Sequence, residues 1–474
     1  MENALKFYID GKWVEPAGGS TSDLIDPATE KVYATVAMGS AEDIDKAVKA
    51  ARRAFSTYSR TTVEERIQLL QKIEKAFVKR ERAISETVTQ EVGMPISVSS
   101  GFLLDWCKLH TAETIEVLLK YEFSESLGTT KVYKEPIGVV GMITPWNFPV
   151  GQIFTKILPA LATGCTMVLK PSQLTPLDGI IIAEILHEAG VPAGVFNLVN
   201  GDGRVVGEAI SQHPDIDMVS FTGSTRAGIQ IAKSAADTIK RVVNELGGKS
   251  ANILLDDADF ETAVENAVGN CFFLNGQACD AGTRLLVPRN RIEEATDIAA
   301  RVANGFVSGP PSDPSTTLGP VMNENQFKTI QGYIQSAIDE GARLVAGGLG
   351  KPDGVDAGYF VKPTVFSDVT PEMRIYREEI FGPVLSISGY EDLADAARMA
   401  NDTVYGLAAH ITGKDMDKVR QLSRELRAGS VFINSPDFDP KAPFGGYRQS
   451  GNGRECGKHG FTEFLEIKAV VGHG

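Results

Sequence analysis

Apolar positions follow two rhythms along the chain. Early on they recur at helical spacing: Ile44, Ala47, Val48, Ala51 and Phe55 fall on one helix face, and Ser40 is placed to cap that helix. A second helix is predicted from about Val63 to Val78, and a further helical stretch to Val92; all read as scaffold. From residue 137 the pattern becomes short continuous apolar runs, at 137–143, 166–169, 195–199 and 218–221, with amphipathic stretches between them. That alternation predicts a parallel sheet with crossover helices. The runs end in polar, Gly or Pro turns: Thr144-Pro145-Trp146-Asn147-Phe148-Pro149, Lys170-Pro171-Ser172, Asn200-Gly201 and Thr222-Gly223-Ser224. Ligands of open parallel sheets bind at the carboxyl ends of the strands, so these turns are the candidate binding segments.

A second α/β set is expected after residue 248, with a helix near 260–273 and strands at 284–287, 384–387, 408–411 and 430–433. Gly247-Gly248 allows a sharp reversal between the two sets. A chain of 474 residues is too long for one core, so two or three domains are expected. Hydrophobic residues at 43% and charged residues at 23% fit a globular protein. The formal net charge of −14 argues against a nucleic-acid binder, which needs clustered Lys and Arg. Asp10, Lys12, Glu15, Asp23, Asp26 and Glu30 interrupt any early apolar run, so neither a signal peptide nor a membrane span is expected, and a cytoplasmic location is. The cysteines at 107, 165, 271, 279 and 456 form no CxxC pair and read as free thiols. The chain carries no ligand pattern for a metal.

Four segments carry candidate chemistry. Phe221 to Gly228 follows a predicted strand and opens a helix, where free backbone N–H groups and the helix dipole favour a phosphate; its blander reading is a cap. Lys170 stands at the same sheet edge, able to reach a ribose or phosphate, although alone it reads as a solvated surface lysine. Glu245, followed by Leu246 and two glycines, is a general base if its carboxylate lies against an apolar wall, or else a loop residue paired to a Lys or Arg. Cys279 has the least core-like neighbourhood of the cysteines, with Gly276 and Gly282 allowing close approach to the sulfur, whereas Cys165 and Cys271 read as packing.

The segments Thr-Pro-Trp-Asn-Phe-Pro, Phe-Thr-Gly-Ser-Thr, Glu-Leu-Gly-Gly-Lys, Gly-Gln-Ala-Cys, Glu-Glu-Ile-Phe-Gly-Pro-Val and Pro-Phe-Gly-Gly-Tyr-Arg-Gln-Ser-Gly, in this order between residues 144 and 451, resemble the aldehyde dehydrogenase superfamily. Tyr8-Ile-Asp-Gly-Lys-Trp13 and the stretch 464–468 resemble its two ends. The resemblance implies that the Cys279 thiolate attacks an aldehyde, that the Asn147 amide and the Cys279 backbone N–H hold the oxyanion, and that Glu245 activates water to hydrolyse the thioester. It implies NAD as cofactor, with Lys170 on the adenosine ribose, Gly223, Ser224 and Gly228 at the pyrophosphate, Glu379 on the nicotinamide ribose and Phe381 against the ring. Trp146, Leu246 and Gln326 take further lining positions. Gln173 stands where many NAD-preferring relatives carry Glu, and a neutral side chain there leaves NADP open. None of the histidines at 110, 187, 213, 410, 459 and 473 falls in a catalytic motif.

The fold class that follows is α/β: a Rossmann-like parallel-sheet cofactor domain over 1–117 and 137–247, a second α/β catalytic domain over 248–456, and a small β oligomerisation arm over 118–136 and 457–474. A strand is expected at 129–133. Phe464, Leu465, Ile467, Ala469, Val470 and Val471 are too apolar for a free tail, so a homodimer or homotetramer is expected. Phe148, Gln152 and Thr155, with Ala278, Asp280 and the loop 435–442, would line a substrate tunnel, somewhat roomier or more polar than in relatives. The alternatives in view are a CoA-acylating dehydrogenase, disfavoured by Glu245, and a catalytically idle homologue.

Overall fold

The computed structural model describes residues 1–473. Its eight-stranded sheet runs in the order 451–452, 241–245, 218–222, 139–143, 166–170, 196–198, 7–9 and 12–14. The five strands from 241–245 to 196–198 are mutually parallel; the outer ones are antiparallel. Side chains alternate between two cores, as strand geometry requires. Val140, Met142, Met167 and Leu169 join a large core shared with the helices 63–78, 104–120, 149–163 and 177–188. Val139, Ile143 and Val168 point the other way, onto the 41–58 helix. Ser40 does cap that helix, in a reciprocal capping box with Asp43.

Chain order within this sheet fixes where a ligand can sit. The chain enters at 139–143, moves outward through 166–170 to 196–198, then returns to the opposite side at 218–222. Adjacent strands 139–143 and 218–222 therefore send their following loops in opposite directions, which opens a crevice at their carboxyl ends. The Thr144–Asn147 turn and the Thr222–Ser224 turn flank it.

A second, seven-stranded sheet has the order 343–346, 364–367, 384–390, 284–288, 251–254, 408–412 and 430–433, parallel except at the 343–346 edge. The strand expected at 384–387 runs on to Tyr390. Strands 465–471, 130–136 and 124–127 form a separate antiparallel sheet. The expected 129–133 strand lies within it, extended to Pro136. The 104–120 helix reaches residue 120, and residues 457–462 form a helix against it and against the 149–163 helix, so the C-terminal strand begins only at Leu465. Ile467 and Val471 on that strand are 74% and 80% exposed. No helix among the described residues is long and apolar enough to cross a membrane.

The two large sheets are bound together near Glu245. Gly451 and Asn452 return to pair with Glu245 and Asn244. Gly451 adopts φ +124°, and a Cβ there would collide with the Asn244 carbonyl. Gly451→Ala is therefore expected to destabilise the fold by about 2 kcal/mol, with amide protection lost first in the paired 241–245 and 451–452 strands. Urea unfolding with hydrogen exchange resolved by segment checks both parts.

Candidate active site

The 260–272 helix stops because Leu274 and Asn275 take left-handed conformations, at φ 52° and 61°. Side-chain bonds hold this uncommon backbone. The Asn275 amide donates to the Pro320 carbonyl at 2.8 Å and its oxygen accepts from Gly319 N at 2.6 Å; the Gln277 oxygen accepts from Met322 N at 2.9 Å. The loop thus turned carries Cys279 toward the crevice. Asn147, 9% exposed, donates from Nδ2 to the Gln277 carbonyl at 2.8 Å, so its amide stands over the loop that bears the cysteine.

Glu245 ends strand 241–245, second from the edge of its sheet, and is 2% exposed. Neither carboxyl oxygen has a hydrogen-bond partner, so the reading of a loop glutamate paired to a base does not hold. Burial, then the nearby Glu455, push its pKa well above the usual carboxylate range, against the pull of Lys156 and Arg454. Lys156 is itself buried and donates to Glu455 and, at 2.7 Å, to Thr222 Oγ1. Cys279 is half-buried. Desolvation raises its thiol pKa, and Asp280, Glu379 and Glu245 raise it further, opposed by its own backbone N–H.

Around this centre lie the residues expected to hold a dinucleotide. Glu379 accepts from Gly248 N at 3.1 Å through one oxygen, and burial pushes its pKa up to about 7. A Cβ on Gly247 would collide with the Glu379 carboxyl, so the paired glycines allow that close approach. The Trp146 and Phe381 rings meet edge to face at 5.3 Å, and Gln326 Nε2 donates to the Ile380 and Phe381 carbonyls at 3.2 and 2.8 Å, fixing the turn that carries Phe381 at φ 57°. Gly228 packs where a Cβ would meet Leu246 at 2.6 Å. Ser224 is exposed at the start of the 225–235 helix and caps it by accepting from Ala227 N at 3.3 Å, with Gly223 beside it. Lys170 is not a solvated surface lysine. It is 4% exposed, donates to the Pro171 and Gly201 carbonyls at 2.8 and 3.1 Å, and has its pKa lowered to about 8 by burial. Gln173 lies half-buried in the turn that follows.

These residues fit a dinucleotide. A helix N-terminus and a buried ammonium stand at the carboxyl ends of the eight-stranded sheet, and a carboxyl against Gly248 and an aromatic pair supply the remaining groups a dinucleotide needs. Sequence reasoning missed Lys156 and Glu455, which sit among apolar helix residues and in a loop and carry no motif of their own. It also missed Phe102, Trp106 and Phe273, whose rings gather beside Phe148 with Phe438 of the expected 435–442 loop; the four-residue spacing of Phe102 and Trp106 was the available signal. Thr155 spends its hydroxyl on the Gly151 carbonyl at 2.8 Å, and Gln152 is buried with its side-chain oxygen unpartnered.

Residues 13–470 match the aldehyde dehydrogenase family. The chain is 48% identical to a 3-succinoylsemialdehyde-pyridine dehydrogenase of a Pseudomonas species, covering 100% of this chain and 99% of that protein. It is 45% identical to a putative aldehyde dehydrogenase of Staphylococcus saprophyticus, covering 100% of both. Among solved structures, a mutant of aldehyde dehydrogenase C from Pseudomonas syringae in complex with NAD+ and octanal superposes with a TM-score of 0.99 at 49% identity, covering 100% of this chain and 98% of that one. Betaine aldehyde dehydrogenase from Staphylococcus aureus, in complex with NAD+, gives 0.96 at 38% identity over 99% and 95% of the two chains. The chain belongs to the aldehyde dehydrogenase family.

With three carboxyl groups near it and burial against it, the Cys279 thiol is expected to be mostly protonated at neutral pH in the protein without cofactor. Its alkylation by iodoacetamide, followed by peptide mass spectrometry, should be slow near pH 7 and still rising above the ordinary thiol range. Asp280→Asn should move that profile to lower pH, and an unmoved profile would contradict the assignment.

Proposed function

We propose that the chain oxidises an aldehyde to its carboxylic acid with NAD+, through a covalent thiohemiacetal and thioester on Cys279 that water activated by Glu245 releases. The observation that carries this reading is the buried, unpartnered Glu245 carboxyl in the same electrostatic neighbourhood as a half-buried cysteine, with the Asn147 amide on the cysteine's loop. NAD+, when bound, supplies the hydride acceptor. Lys170, Gln173, Gly223, Ser224, Gly228, Leu246, Gln326, Glu379, Phe381 and Trp146 are the residues that would hold it.

The steps assigned to the protein's own groups follow from their chemistry. Cys279 must lose a proton before it attacks the carbonyl carbon; Glu245, with its raised proton affinity, speeds that loss, and solvent takes the proton where Glu245 is absent. Negative charge then develops on the substrate oxygen, where the Asn147 amide and the Cys279 backbone N–H donate. After oxidation the carbon is a thioester; Glu245, its first proton released to solvent, takes a proton from water, the hydroxyl adds to the carbonyl carbon, and the Cys279 sulfur leaves as the thiolate, free for the next attack. The Lys156 and Glu455 ion pair beside Glu245 keeps one positive charge near a carboxyl that must alternate between protonated and ionised. Gln173 offers an amide, able to donate or accept, where a carboxylate would repel a 2′-phosphate, so NADP is expected to be used less well but not excluded.

By the same reading the eight-stranded sheet is the cofactor unit, the seven-stranded sheet the catalytic unit, and the three-stranded sheet an oligomerisation arm. The protein is then a cytoplasmic homodimer or homotetramer, with exposed Leu127, Ile467 and Val471 covered by a partner subunit. A double Ile467→Glu, Val471→Glu variant should sediment as a smaller species in analytical ultracentrifugation, and an unchanged mass would remove the arm from the interface.

Cys279→Ala should abolish NADH formation from every aldehyde, since no other described thiol has this setting. Asn147→Ala should lower kcat by about 10²–10³-fold with the protein still folded. Glu245→Gln should release a single-turnover burst of NADH and then stall, in stopped-flow absorbance. Full steady turnover of either the Cys279 or the Glu245 variant would overturn the mechanism.

A further inference from the structure

Cys279 and Asp280 are the two corner residues of a four-residue turn, closed by Ala281 N donating to the Ala278 carbonyl at 3.3 Å. The chain enters this turn through Gln277, whose carbonyl accepts from Asn147 and whose side-chain oxygen accepts from Met322 N. It leaves through Gly282 and Thr283 into the strand 284–288. One long local bond deforms easily, so the place of the sulfur depends on what holds the two ends of the turn.

Two side chains from other elements hold the exit. Asn270, on the 260–272 helix, accepts from Gly282 N at 2.8 Å. His410, on the 408–412 strand, stands with Nε2 3.3 Å from the Asp280 carbonyl. A carbonyl oxygen only accepts, so this bond places the ring proton on Nε2. The plane of the ring is set by Phe432, its register partner on the 430–433 strand, which stacks on it with centroids 5.0 Å and planes 21° apart. Gly282 leaves the room this needs: a Cβ there would stand 3.0 Å from Asn270 Oδ1 and 3.2 Å from His410 Cδ2.

The surroundings of His410 suit a neutral donor. Burial lowers its pKa below the ordinary imidazole value, against the pull of Asp280. Its register partners on the neighbouring strands, Asn252 and Phe432, carry no charge. An imidazole that is neutral around pH 7 offers one N–H, and the Asp280 carbonyl receives it. Nothing in the run Ala408-Ala409-His410-Ile411-Thr412 marks this histidine; the sheet brings it to the loop of the nucleophile.

We propose that His410 is a positioning residue for Cys279: by holding the Asp280 carbonyl it fixes the turn that aims the sulfur and the Cys279 N–H, without itself reaching the reacting atoms. The proposal rests on the covalent role proposed above for Cys279 and adds a residue to it. A turn released at its exit misplaces the sulfur, which costs rate in the attack on the carbonyl carbon. The groups proposed to hold the dinucleotide lie on other segments and keep their places, so binding is spared.

Amides that imitate the two ring nitrogens separately make the test. His410→Gln carries an N–H near the place of Nε2, His410→Asn carries it near Nδ1 and short of the Asp280 carbonyl, and His410→Phe keeps a stacked ring with no donor. The Asn and Phe variants should lose about tenfold in kcat and in the rate of the NADH burst, with KM for NAD+ and for propanal within about twofold of the parent's. The Gln variant should recover to within about threefold of the parent. Deuterium uptake by the peptide 274–283, followed by mass spectrometry, should be about fivefold faster in the Asn and Phe variants and close to the parent's in the Gln variant. The Asn and Gln pair carries the comparison alone if the Phe variant does not fold. Burst rates equal to the parent's in the Asn and Phe variants, or a Gln variant no faster than the Asn one, would overturn the proposal. If the turn exchanges faster in the Asn and Phe variants while even the parent oxidises no aldehyde, the hold on the turn stands and the oxidation reading falls. If the parent oxidises aldehydes and every variant matches it, the oxidation stands and the positioning role falls.

Discussion

A carboxyl group buried at 2% exposure with neither oxygen hydrogen-bonded is the constraint around which this protein is arranged. Leaving such a group unpaired costs a few kcal/mol in a folded protein, and the surrounding structure holds it there. Glu245 is the last residue of a strand paired on both sides, with Thr222 on one and Gly451 on the other, so its backbone cannot turn the side chain out to solvent. Gly445, at φ +153°, has no Cβ because the Glu245 carboxyl occupies that space, at 2.7 Å from where it would stand. The Lys156 and Glu455 pair, whose partners are 299 residues apart in the chain, fixes the charge behind it.

The same arrangement explains why the two large sheets meet through glycines. Gly247 makes way for the Glu379 carboxyl, Gly248 approaches the Cys279 carbonyl at 2.6 Å from its would-be Cβ, and Gly276, at φ +71°, packs on the Gly382 backbone. Side chains at these points would hold the sheets apart and remove the close approach of cysteine, carboxyl and cofactor-facing turn. The glycines are the geometric condition for the site, and their conformational freedom in the unfolded chain is a cost to stability borne for that geometry.

Much of this was legible in the order of residues. The strands at the centre of both sheets were visible because continuous apolar runs ending in polar turns have few other meanings in an α/β chain, and the Ser40 cap was visible because capping is local chemistry. Asn147, Glu245 and Cys279 were recognisable through the company of their motifs. What stayed hidden was long-range pairing. Lys170 reads as a surface lysine because nothing nearby in sequence shows that the Gly201 carbonyl will receive it. Glu455 has no local sign of its bond to Lys156. Phe102 and Trp106 look like ordinary core positions, and only the fold brings them against Phe438 of the 435–442 loop. Gln152 and Thr155 suggested a more polar tunnel, yet the Thr155 hydroxyl is turned onto its own helix and rings supply the lining beside Phe148.

The electrostatics of the site also set the order in which its groups can act. Cys279 stands among Asp280, Glu379 and Glu245, each of which, with burial, holds its thiol toward the protonated form of low reactivity. Shifting that balance requires either a base that takes the proton or positive charge entering the crevice, and oxidised dinucleotides carry a positive charge on the pyridinium ring. Burial pushes the Glu379 pKa up to about 7, and a hydroxyl donor on its carboxyl would favour its ionised form; because ionised Glu379 opposes the Cys279 thiolate, a base or the pyridinium charge must outweigh it for the cysteine to ionise.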